Sequence, residues 1–137
     1  MEGEFVLVAA PNPVGLKFIL LLMAAKRNFA VLVNNKKEEE VLHKLGVRHV
    51  LRIKTDDEQS WIVPPFPIGR CYIFELSMTL TCRYLQICRR WTQDQIFIIT
   101  PNKNPRMIYK GLGASYVIHS VSGEVGFLLT AKPQLEQ

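Results

Sequence analysis

Short apolar runs alternate along the chain with stretches whose apolar positions recur at helical spacing. Phe5–Ala9 suits a strand buried on both faces. A Pro-Asn-Pro turn follows, and an apolar helix is predicted from about Val14 to Lys26. Ala30–Val33 reads as a second strand ended by Asn34 and Asn35, and Lys36–Leu45 as an amphipathic helix stopped by Gly46. His49–Ile53 is a third strand. Three prolines between Pro64 and Pro67 keep residues 55–70 irregular, with room for a turn or two at Asp57–Ile62.

Cys71–Leu76 is the fourth strand. Thr79–Trp91 is a helix, with Leu80, Tyr84, Ile87, Cys88 and Trp91 at helical spacing. Gln95–Ile99 is the fifth strand, Pro105–Leu112 a helix closed by Gly113, and Ser115–Ile118 the sixth strand. A further helix starts within residues 123–129, and residues 130–137 read as a tail. Such alternation implies a parallel sheet covered on both faces. The expected fold class is therefore α/β: a Rossmann-like three-layer sandwich with a parallel six-stranded sheet, formed by one domain over residues 1–129. His43–Val50 and Tyr109–Ile118 echo each other as helix end, glycine cap and strand, the mark of a βα repeat.

With 48% hydrophobic and 21% charged residues over 137 positions, the chain suits one globular core. The run Phe18–Ala25 falls far short of the roughly 20 apolar residues of a membrane span. Its acidic lead-in, Glu2 and Glu4, is opposite in sign to the start of a signal peptide. A helix that apolar implies deep burial against the sheet. The net charge of +5 is concentrated in residues 70–120, where Arg70, Arg83, Arg89, Arg90, Lys103, Arg106 and Lys110 face only Glu75 and Asp94 in number. A basic face suits phosphate, nucleic acid or an acidic partner, and equally a solvated surface. No nucleic-acid recognition motif accompanies Arg89-Arg90-Trp91, so nucleic acid is not the expected partner.

Cys71, Cys82 and Cys88 are odd in number and lack metal spacing, as expected of reduced thiols in a cytoplasmic protein. His43, His49 and His119 are scattered, and the strand order of this fold would keep the last two apart. Trp61, beside Pro64–Pro67, forms either an exposed apolar patch or part of a loop folded over the sheet edge.

The candidate chemistry lies in the first strand-to-helix turn, Ala10-Pro11-Asn12-Pro13-Val14-Gly15. In a G-x-G-x-x-G phosphate loop the first glycine makes the tight turn, the second admits the pyrophosphate, and the third lets helix and strand pack closely. Here those positions are Ala10, Asn12 and Gly15. Asn12 is the serious change, because a side chain flanked by two prolines narrows the approach and removes amide donors. At the end of the second strand, where an acidic residue holds the adenosine ribose, stand Asn34 and Asn35.

Several segments carry a resemblance: the turn and its apolar helix, Gly46-Val47-Arg48-His49-Val50, Arg52 to Glu58, the stretch from Pro105 ending Leu-Gly-Ala-Ser-Tyr-Val-Ile, and Gly123 to Leu129. Over about residues 5–129 the chain resembles the N-terminal lobe of RCK (regulator of potassium conductance), or TrkA-N-type, domains. The resemblance implies a cytoplasmic, non-enzymatic regulatory or ligand-sensing lobe that forms homodimers or higher homo-oligomers. It implies NAD(H) or an adenine nucleotide as ligand and a potassium channel or transporter subunit as partner. The cofactor-binding positions it marks are Ala10, Asn12, Pro13, Val14, Gly15, Asn34, Asn35, Arg52 and Lys54. Arg52-Ile53 replaces a Gly-Asp pair of that family, and Ser77–Thr81 replaces a typically acidic turn, so nucleotide binding is expected to be weakened or lost. The alternative is a cofactor domain related to NAD(P)-dependent oxidoreductases, since medium-chain dehydrogenases share the Pro-Val-Gly-Leu turn. No catalytic residue and no metal ligand is assigned.

Overall fold

Period-two alternation along the strands sorts their side chains onto two faces, and each face acquires its own helical cover. The computed structural model describes residues 3–9, 12–102, 107–120 and 125–130. Its strands are β1 (Phe5–Ala9), β2 (Phe29–Val33), β3 (Val50–Arg52), β4 (Ile68–Phe74), β5 (Ile96–Thr100) and β6 (Tyr116–His119). The helices are α1 (Pro13–Ala24), α2 (Lys36–Leu45), α3 (Met78–Trp91), α4 (Met107–Gly111) and α5 (Phe127–Thr130), with a 3₁₀ turn at Glu58–Ser60. All pairings are parallel, in the order β3-β2-β1-β4-β5-β6. That is the expected Rossmann-like sandwich, with its topological switch between β1 and β4. His49, just before β3, and His119, on β6, lie at opposite edges of the sheet.

On one face, Val8, Val31, Tyr72, Phe74 and Phe97 pack under Phe18, Ile19 and Leu22 of α1, Leu42 of α2 and Leu128 of α5. Tyr72, Phe97 and Tyr116, in register across β4, β5 and β6, stack their rings at 5.0 and 5.2 Å. On the other face, Leu7, Leu32, Ile73 and Ile98 lie under Tyr84, Leu85, Ile87 and Cys88 of α3, Tyr109 of α4 and the loop residue Trp61. Trp61 is buried. Its indole donates to the Lys54 carbonyl at 2.9 Å, and the Arg90 guanidinium lies 4.8 Å from its ring centroid. The proline-rich loop is therefore folded down on the sheet, with Phe66 stacked on Phe5 at 4.1 Å.

Three expectations are corrected. The fourth strand begins at Ile68 and ends at Phe74. Pairing slips from Phe5–Ile68 to Leu7–Cys71, so a bulge near Gly69 absorbs an extra residue, and the flanking Pro67 and Gly69 disguise the strand start. Helix α1 stops at Ala24, because Lys26 adopts a left-handed φ of 55°. Nor is α1 buried all round: Gly15, Phe18, Ile19 and Leu22 face the sheet, whereas Leu20 is 51% exposed. The expected tail, the start of the last helix and Pro105–Arg106 lie outside the described residues. Among the described residues, no helix is long and apolar enough to cross a membrane.

The echo between the two halves is a shared cap. Gly46 at φ 98° closes α2 while the Val47 amide bonds the Leu42 carbonyl; Gly113 at φ 116° follows α4 while Ala114 bonds Tyr109. The surroundings differ. A methyl group on Gly46 would meet Met23 Cε at 3.4 Å, but on Gly113 it would come within 2.7 Å of Arg89 Cδ. Arg89 has little freedom to retreat, since its guanidinium donates to the carbonyls of Thr92, Asp94 and Gly113. Gly113→Ala is expected to cost about 1–3 kcal/mol and Gly46→Ala clearly less. Thermal unfolding of the two variants side by side measures the difference.

Candidate functional site

In an open parallel sheet a ligand binds beyond the carboxyl ends of the strands, at the switch point. Asn12 occupies that point. It is the N-cap of α1: its Oδ1 accepts from the Gly15 amide at 2.8 Å, and its Nδ2 donates to the Glu75 carbonyl at 3.2 Å. The Leu16 amide returns to the Asn12 carbonyl at 2.8 Å. Pro13 has no amide proton, so Val14 alone in the α1 first turn keeps an amide without a partner among the described residues. Gly15 is buried, and a methyl group there would stand 3.3 Å from Cγ and Cδ1 of Phe74 on β4. The close-packing role of the third loop glycine is thus kept. Ala10 lies outside the described residues.

The other expected residues meet elsewhere. Asn34, Asn35, Arg52 and Lys54, with Ile53 and Ser60, line a cleft of about 440 Å³ at the ends of β2 and β3. Asn35 caps α2 through the Glu38 amide at 2.8 Å, and its Nδ2 donates to Asn34 Oδ1 at 3.0 Å. Arg52 Nε lies 3.4 Å from Glu39 Oε1. The backbone of Lys54 is held by Ser60, whose Oγ accepts from the Lys54 amide at 2.9 Å. The structure therefore divides the eight described positions of the nine into a turn at the switch point and a separate basic cleft.

Sequence reasoning passed over a third cluster. Glu75, one residue past β4, follows Cys71 and Ile73 in period two onto the face covered by α3 and α4, and it is 7% exposed. Its Oε1 accepts from the Thr100 hydroxyl and from Asn102 Nδ2 at 3.0 Å; its Oε2 accepts from the Tyr109 hydroxyl at 2.5 Å. Burial, then the bond to Glu75 and its charge, push the Tyr109 phenol up to about 12. The available signal was a carboxylate inside an otherwise apolar run, since such a residue is almost never buried unpaired.

Arg89 and Arg90, considered as a basic cluster, are committed within the fold: Arg89 to three carbonyls, Arg90 to Glu58 at 2.6 Å and to the Trp61 ring.

No protein-family signature and no curated protein matches the sequence. Solved structures do. The TrkA-N domain of the inner membrane protein ybaL from Escherichia coli is similar with a TM-score of 0.66 at 14% identity, over 97% of this chain and 95% of that one. The NAD(P)-binding domain of an exopolyphosphatase-related protein from Archaeoglobus fulgidus gives 0.68 at 14% identity, over 85% and 87%. The GsuK channel bound to NAD gives 0.68 at 15% identity, over 84% of this chain and 21% of the channel's. At such identities the likeness establishes the fold, and the fold is that of the TrkA-N and RCK domains.

Proposed function

We propose that the chain is a non-enzymatic regulatory or ligand-sensing lobe of the RCK N-terminal kind, with weakened dinucleotide binding. One observation carries the reading: the Asn12 amide oxygen sits on the Gly15 amide, where the first turn of the helix would otherwise receive a phosphate oxygen. A dinucleotide must displace that cap and its link to β4 before its pyrophosphate can approach. Ligand sensing is supported by the likeness to GsuK bound to NAD and to GsuK bound to ADP. The proposed setting is cytoplasmic, beside a potassium channel or transporter subunit.

A non-enzymatic role is supported by how Glu75 is used. Three side-chain donors hold its carboxylate, which makes it a brace between β4, β5 and α4. Self-association is supported by the outer side of α1 and α2, where Leu20, Val41 and Leu45 are each about half exposed.

Four outcomes are expected. In thermal titrations NADH, AMP and ATP at millimolar levels stabilise the protein by well under the roughly 2.7 kcal/mol that a ligand gives at about 100 times its Kd. Asn12→Gly, a mild change at a helix N-cap, enlarges the NADH shift. Saturation of the unaltered protein at micromolar NADH, or an Asn12→Gly variant no better than it, overturns the reading. In light scattering the protein is a dimer and Leu20→Lys is a monomer; a monomer at high concentration removes the self-association. The Tyr109 phenol, raised from 10.0 to about 12 in the folded state, contributes stability that is intact below pH 10 and lost as pH rises through about 12. Tyr109→Phe flattens that alkaline loss in unfolding measured against pH.

A further inference from the structure

The cleft beyond β2 and β3 has a charge pattern that the weakened phosphate loop does not explain. A ribose diol is recognised by a carboxylate that accepts its two hydroxyl protons. The residues that would do so here, Asn34 and Asn35, are neutral amides, and the Oδ1 atoms of both already accept protein donors. No carboxylate lines the cleft, whereas Arg52 and Lys54 both do. Among the described residues no carboxylate lies within 4.0 Å of the Lys54 ammonium. Arg52 is paired with Glu39 through Nε, which steadies the guanidinium, and its side chain stays 45% exposed. Ser60 lines the same wall, and its hydroxyl is committed to the backbone of Lys54 and Asp57, which holds the Lys54 turn in place. Lys54, the Arg52 guanidinium with its Nε toward Glu39, and two amides around a cleft that no carboxylate lines suit a dianion, and a planar guanidinium suits a phosphate monoester in particular.

We propose that this cleft receives the 2′-phosphate of a 2′-phosphorylated adenosine nucleotide, so that the chain prefers NADP(H)-type ligands over NAD(H). The inference rests on the nucleotide-sensing reading above and adds which nucleotide is sensed. It also supplies a compensation. The anchor moves from the pyrophosphate, whose place Asn12 holds, to a monoester about one strand away along the sheet edge. Neighbouring strands in a sheet lie about 4.8 Å apart, so both ends fall within the span of one dinucleotide.

Calorimetric titration of the full chain with NADPH, NADH, 2′-AMP and 5′-AMP at fixed ionic strength tests this. NADPH is expected to bind about tenfold or more tightly than NADH, and 2′-AMP more tightly than 5′-AMP, with the advantage falling as salt rises. Lys54→Gln and Arg52→Gln should each lower NADPH affinity more than NADH affinity and so erode the NADPH advantage. Asn34→Asp should shift the preference toward NADH. Equal affinities for the two dinucleotides, no binding of either, or an undiminished NADPH advantage in both glutamine variants overturns the proposal. The ratio of the two affinities reports on the cleft alone. A change common to both ligands in Asn12→Gly reports on the phosphate loop, so one reading can fail while the other stands.

Discussion

Gly15 lies against the Phe74 ring so closely that one added methyl group would press on it. That contact fixes how near α1 approaches β4, and the carboxyl edge of the sheet is arranged around it. With the helix start at this distance, a four-atom side chain at position 12 spans the gap between the α1 amides and the end of β4. The same closeness that in a dinucleotide-binding turn brings amides to a phosphate here brings them to the protein's own amide oxygen.

The second consequence of the sheet is the buried acid. Because Glu75 follows Ile73 in the strand's alternation, its side chain enters the layer under α3 and α4, and the cost of burying a charge has to be offset there. Thr100 from β5, Asn102 beyond it and Tyr109 from α4 supply the donors. The Glu75 backbone carbonyl meanwhile receives Asn12. One residue thus joins the α1 turn to the far half of the sheet through its main chain and braces that half through its carboxylate.

Most of the architecture is legible in the sequence because its signals are local. Apolar runs of strand length, a glycine at φ 98° after Leu45 and another at φ 116° after Leu112 act within a few residues of themselves. The start of β4 is not legible, since Ile68 joins the strand through its pairing with Phe5 and a bulge carries the chain past Gly69 before Cys71 pairs with Leu7. The partial exposure of α1 is also hidden: its composition is apolar on every side, and only packing shows which side has a partner. For the candidate site, the positions at the loop and at Asn34–Lys54 follow from the place of each turn in the βα order. Their separation into a capped turn and a basic cleft does not, nor does Asn12's reach to a carbonyl 63 residues away.

That reach bears on how the chain assembles. β1 pairs with β2 across a single intervening helix, but with β4 only after α1, β2, α2, β3 and the proline-rich loop have been enclosed. The entropy of closing a loop grows only slowly with length, about 0.6 kcal/mol per doubling, but it falls due before any contact rewards it. The first three strands can therefore close on local contacts, as can the last three, and β1 against β4 is the seam on which the two halves meet. The Asn12–Glu75 bond is a fastening across that seam, in place once the halves have docked.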